Sequence, residues 1–431
     1  MSSTRKCNHA HLQADVSSHA KDAPFLRPPY PKRKAATTRS GRVSKADDVD
    51  DETAHAYNFP GPLVLPDDAL SIDPKEPPQS FRSWVQGVHR NPFTSSRKTI
   101  YLAPVPSISP KLPFMRTWST PVDPSPSTPA IHPPKTADLL AYLTAFYHPL
   151  PVTLLATAPV AFVPWGTPAS PALIGLHLGS PTVTGIRTRP CPDGAFPRQL
   201  NLNDLLDAAI DSLPTDAYAL VLATEHDLYE DDDDDFCCGR AYGGSRVAVV
   251  SGARYHPGLD EYAGVERGHM WPEAHCRGYV EGVCGGGGRK KKTGKGDNDG
   301  TTALSAAVRA AMGTTAEGDL YGMWMSRVAR TVAHELGHCL GIAHCVYYAC
   351  VMQGTAGVAE DMRQPPYLCP VCLVKVVHAV REAMPRTREK EVVVQNYRAL
   401  MGFCEGWMGV GMFAGYYHWL RKRVEELEGE V

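Results

Sequence analysis

Residues 334–344 read HELGHCLGIAH, and they close a longer stretch, WMSRVARTVAHELGHCL, over residues 324–340. Apolar residues recur at helical spacing, no proline interrupts, and no glycine precedes Gly337, so the stretch is predicted to be a helix. On it His334 and His338 stand four residues apart, one above the other on one face. Two imidazoles so placed can share one metal ion. Glu335 lies about 100° around the axis from His334, near the metal without having to ligate it. Gly341 can adopt the left-handed conformation that ends a helix. The turn lets His344 come back as a third imidazole, and three protein ligands leave a tetrahedral position for water, the mark of a catalytic zinc site. The short pattern HExxH would arise in roughly 3% of random chains of this size and composition. Gly341 and His344 at fixed offsets lower that to roughly one in ten thousand.

Directly behind lies a second constellation: Cys345 and Cys350, then Cys369 and Cys372. Two close pairs joined by a loop are the layout of a closed site with four thiolate ligands, so a structural zinc is expected beside the catalytic one. In this reading Glu335 is the general base, and the chain carries two zinc ions. Met352 falls between the pairs, and a methionine in a turn beneath a histidine-bound zinc marks the metzincins.

HExxHxxGxxHC-x4-C-x-M followed by CxxC resembles the archaemetzincin family of zinc metallopeptidases. The signature covers His334 to Cys372, and weaker similarity extends over residues 97–105, 216–229 and 236–255. The resemblance implies an α/β, zincin-like α+β fold of two subdomains. Its mixed twisted sheet is flanked by helices, and the active-site helix forms the floor of a cleft. It implies a catalytic zinc on His334, His338 and His344, a structural zinc on Cys345, Cys350, Cys369 and Cys372, and Glu335 as the catalytic residue. The expected activity is hydrolysis of peptide bonds by a zinc-held water that Glu335 activates. The alternative is a catalytically silent zinc module that keeps the fold as an interaction protein. An intact Glu335 argues against it.

The rest of the 431 residues fits a globular chain: 43% are apolar, 21% charged, and the net charge is −2. Near-neutrality argues against a nucleic-acid partner. No apolar run reaches the roughly 18 residues of a membrane span, and residues 1–6 do not open a signal peptide. The expectation is an intracellular protein, cytoplasmic or nuclear, monomeric by default, acting on a peptide or protein substrate.

Residues 1–80 are expected to be a disordered basic and proline-rich arm. Residues 1–46 hold ten Lys/Arg against two Asp, and Lys32-Arg33-Lys34 is either a nuclear signal or, with greater weight, a solvated tail. Residues 81–431 then form the metallopeptidase domain, with low-complexity inserts at 121–134, 230–235 and 285–300. Strands are predicted at 97–105, 152–155, 217–224 and 246–251, and helices at 137–147, 202–213 and 413–428, the last a solvated helix first and a partner-binding one second. Asn203 and Asp204 are the capping candidates for the second helix. His275, Cys276 and Cys284 are candidate metal ligands whose spacing fits no common site, so ordinary loop residues is the preferred reading, and Cys237 and Cys238 read as core.

Overall fold

Eight consecutive residues, Ala217–Thr224, form a strand buried along its whole length. A strand alternates its side chains between two faces, so a continuously apolar strand must have a core on each side. In the computed structural model it does. The structure describes residues 7, 9–43, 52–88, 90–126, 128–156, 159–179, 181–285, 296–314 and 319–429.

The strands, in chain order, are β1 Thr99–Ala103, β2 Ser107–Ile108, β3 Val152–Leu154, β4 Val160–Pro164, β5 Leu173–Leu178, β6 Val183–Pro190, β7 Arg198–Asn201, β8 Ala217–Thr224, β9 Leu228–Tyr229, β10 Gly239–Tyr242 and β11 Val247–Ser251. One sheet has the order β10-β11-β8-β1-β3, parallel except for the edge strand β10. The other has the order β2-β4-β5-β6-β7-β9 and is mostly antiparallel. Ala219, Val221 and Ala223 of β8 join a core with the long helices, whereas Leu220 and Leu222 join one with the second sheet and the helix Leu202–Asp211. The mixed sheet flanked by helices is therefore present.

The helix predicted at 324–340 runs from Leu320 to Cys339. Asp319 caps it by accepting the Gly322 N–H. Sixteen of its twenty residues are buried, because it lies under the first sheet and against the helix Thr136–Phe146. Four buried polar contacts fix its height: Trp324 Nε1 donates to Gly252 O at 2.7 Å, Arg327 pairs with Asp260 at 2.6 Å, Tyr147 OH donates to Ala333 O at 2.7 Å, and Tyr218 OH to Cys339 O at 3.3 Å.

Several expectations need correction. The described part of the amino-terminal stretch is packed rather than disordered: Leu12 is fully buried against Leu304 and Val308, and Phe25, Val64 and Leu70 share a cluster with Val346. A few large apolar residues do this, and their signal is diluted in the average over 80 residues. Arg33, in the helix Tyr30–Ala36, is buried and lies over the Tyr348 ring, so 32–34 is not a freely solvated run. The helix Leu202–Asp211 is capped by Asn201, which accepts the Asp204 N–H. Most of the Gly/Lys insert, 286–295, lies outside the described residues. The carboxy-terminal helix, Gly411–Gly429, is not solvated on all sides: Phe413, Tyr416, Trp419 and Leu420 are buried against the protein's own core.

Candidate metal centres and the cavities beside them

His334 and His338 project from the last turns of the helix Leu320–Cys339. The helix then stops in a Schellman turn: Gly341 N donates to His338 O, Ile342 N to Gly337 O, and Gly341 has φ +77°. That turn is held from outside. Gln79 donates to Gly341 O and accepts from Ala343 N, Trp84 Nε1 donates to Leu340 O, and the buried Lys375 ammonium grips Gln79 Oε1 at 2.8 Å. His344 emerges from it, and the three imidazoles meet with donor atoms within 4.8 Å of one another.

Their orientation suits a cation. His334 Nδ1 is bonded to Val351 O at 2.6 Å and His338 Nδ1 to Ile342 O at 2.7 Å. A carbonyl can only accept, so both Nδ1 atoms carry hydrogen and both Nε2 lone pairs are left for the centre. Those two Nε2 atoms lie 2.9 Å apart. Burial pushes the pKa of His334 down to about 4 and lowers those of His338 and His344 as well. The rings are thus neutral, the form that ligates metal. Gly354 backs His344 so closely that a Cβ there would lie 2.9 Å from its Nδ1.

Met352 passes directly beneath, fully buried, with its side chain on Gly337. Glu335 is only 7% exposed, and its carboxylate approaches the backbone of Gly239 on the edge strand β10. Burial pushes its pKa up to about 8, with Arg240 acting in the opposite sense. A cation among the three imidazoles would pull it back down.

Glu335 and His344 line two cavities. One, of about 270 Å³, is walled by Phe236, Tyr255, Thr331 and Gln353, with Arg330 and Asp361 paired at 3.0 Å in its wall. The other, of about 740 Å³, is walled by Trp84, Arg90, Arg240 and His338. Asp361 and Gln79 carry no sequence signal that marks them for the site, whereas Gly239 falls in the similar stretch 236–255. Arg330, one helical turn before His334, was the nearest signal for the first wall.

The Sγ atoms of Cys345, Cys350, Cys369 and Cys372 also lie within 4.8 Å of one another, all buried. Cys350 Sγ faces the backbone N–H groups of Met352 and Cys369 at 3.5 and 3.3 Å. Cys369 caps the helix Pro370–Ala383, whose amino-terminal dipole favours negative charge. Hydrogen bonds from Cys350, Cys369 and Cys372 hold the Cys345 thiol well below its usual range, while burial pushes the Cys350 and Cys369 thiols up. Four thiols cannot all ionise so close together without a cation between them. The donor set fits zinc.

Cys237 and Cys238 sit beside Glu335 in the wall of the smaller cavity. The acidic run at 230–235 is an exposed loop whose Asp231 carbonyl accepts from Arg189. No helix among the described residues is long and apolar enough to cross a membrane.

Comparison with known proteins gives concordant relatives. Residues 306–378 match Peptidase family M54. The chain is 25% identical to archaemetzincin-2 of Homo sapiens over 343 residues, 79% of this chain and 73% of that one. It is 28% identical to archaemetzincin-1 of Rattus norvegicus over 180 residues, 42% of this chain and 30% of that one. Among solved structures, archaemetzincin from Methanopyrus kandleri is 16% identical, covering 67% of this chain and 97% of that chain with a TM-score of 0.31, too low to bear on the fold.

Proposed function

We propose that this chain, which belongs to the archaemetzincin family of zinc metallopeptidases, hydrolyses peptide bonds at His334, His338 and His344 with Glu335 as general base. One observation supports the reading above the others: Glu335 lines both cavities that flank the three converging imidazoles. It faces whatever the cavities admit. Bound at those imidazoles, zinc supplies a Lewis acid for the scissile carbonyl and makes water a nucleophile near neutral pH.

The protein's own groups do the rest. Val351 O and Ile342 O keep the Nδ1 protons of His334 and His338 in place, so neither ring can turn its lone pair away. The Glu335 carboxylate accepts the proton of the attacking water and returns it to the leaving amine. Its position in the walls of both cavities puts it within reach of a water held at the imidazoles. A substrate side chain would enter the cavity walled by Phe236, Tyr255 and Thr331, where Tyr255 OH and Thr331 Oγ1 are already joined at 2.9 Å. Cys345, Cys350, Cys369 and Cys372 would hold a second zinc and so would link Cys345, and its neighbour His344, to the helix Pro370–Ala383.

The test is Glu335→Gln. The variant should keep both zinc equivalents and lose about 10²- to 10⁴-fold in turnover of a cleaved peptide. A peptide library probed with zinc-loaded wild type comes first. If that protein holds its zinc and cleaves nothing, the silent module replaces this reading.

A further inference from the structure

A third group of nitrogen and sulfur donors lies apart from both sites. Cys7 Sγ and one ring nitrogen each of His9 and His269 are within 4.8 Å of one another. His269 Nδ1 is bonded to Glu266 Oε2 at 3.0 Å. A carboxylate accepts, so Nδ1 carries the hydrogen and Nε2 is left with its lone pair. The ring is fixed by stacking on Tyr279, with centroids 4.0 Å apart. His269 Nε2 and His9 Nδ1 are both buried with no hydrogen-bond partner. Two bare imidazole nitrogens beside a thiol are expensive to bury unless something joins them. His9 also has φ +45°, a backbone conformation costly for a residue with a side chain. Such strain persists where the surroundings over-determine it.

A second thiol lies beside Cys7, outside the group of three. Cys276 Sγ lies 3.1 Å from Cys7 Sγ, too far for a disulfide bond. The carboxylate behind His269 is the kind of support that orients a metal-binding imidazole.

The geometry points to a further zinc-class cation held by Cys7, His9 and His269, a site that fastens the amino-terminal segment to the body of the peptidase. One thiolate and two imidazoles are ligand types that zinc takes readily. The backbone alongside is already paired: Gln13 N donates to His275 O, Arg277 N to His11 O, and Leu12 bridges Cys276 antiparallel. From there the segment runs to Arg27, whose Nε donates to Tyr347 O, two residues past Cys345. A clamp at Cys7 therefore braces the loop that carries the cysteine quartet.

Zinc per chain, measured on the full-length protein purified in reductant without added metal, tests this. Cys7→Ser and, separately, His269→Asn should each lose one equivalent while keeping those lost in His338→Ala and Cys369→Ala. Variants that retain every equivalent overturn the site. Alkylation of the unaltered protein covers the case in which a variant fails to fold. Cys7 should resist iodoacetamide until a chelator is added, and modification of Cys7 in zinc-replete protein overturns the proposal. A Cys7–Cys276 disulfide found by mass in reductant-purified protein would also overturn it.

Discussion

The side chain of Met352 fills the space where a Cβ on Gly337 would stand. Glycine inside a helix costs about 1 kcal/mol relative to alanine, so a close approach explains it better than helix propensity does. Gly337→Ala should therefore destabilise the protein, by about 1–3 kcal/mol, as overpacked cores do. It should also loosen zinc, because Met352 follows Val351, whose carbonyl orients His334. Melting temperature and zinc content check this together. A variant that melts higher with full zinc would show that the contact constrains nothing.

Cys369→Ser should remove the second zinc and weaken the first. Cys345 is shared between the quartet and the backbone that positions His344, so freeing one end of the loop loosens the third imidazole. We expect about a tenfold or greater fall in kcat/KM, comparable to the loss of a supporting contact behind a metal ligand. If the variant loses one zinc and keeps full activity, the sites are independent.

His226 joins the end of β8 to β9 and is fully buried against Phe162. Burial lowers its pKa from the usual 6.5 to about 4. Between those values the unfolded chain binds the proton and the folded chain does not, so stability is present above pH 6.5 and is lost as pH falls toward 4. The shift corresponds to about 3 kcal/mol. Urea midpoints from pH 7 to pH 4 should fall, and His226→Gln should flatten that slope whatever it does at pH 7. An unchanged slope would assign the acid sensitivity to other groups.

Trp419 is fully buried, stacks on Tyr367 with centroids 4.1 Å apart, and donates from Nε1 to Asn58 O at 3.0 Å. Trp419→Ala should cost about 3–5 kcal/mol, measured by denaturant unfolding. A change below 1 kcal/mol would restore the solvated helix that the charges of Arg421, Lys422 and Glu425 suggest.

That helix shows where a sequence is legible and where it is not. The site could be read because chemistry fixes its spacing: His334, His338, Gly341 and His344 must keep their offsets to meet at one point. Strands such as β8 and β11 stand out because both faces are buried and every residue but the last of each is apolar. The described parts of 160–190 and 7–72 are hard to read for the opposite reason. Their apolar residues are sparse and set among prolines and charges, and only their tertiary partners make them structural. Leu12, Phe25 and Val64 carry no periodicity, and Gln79 acquires its role from a lysine some 300 residues later.

Strand β8 has a consequence for reading substitutions. Six of its residues, Tyr218 to Ala223, border one core or the other, so no position from 218 to 223 offers a harmless polar exchange. The stretch should prove as intolerant of variation as the histidine helix while touching no substrate. Mutational sensitivity alone would not separate the two. The sign that does is what is lost: soluble, folded protein for β8, and turnover in a normally folded protein for Glu335.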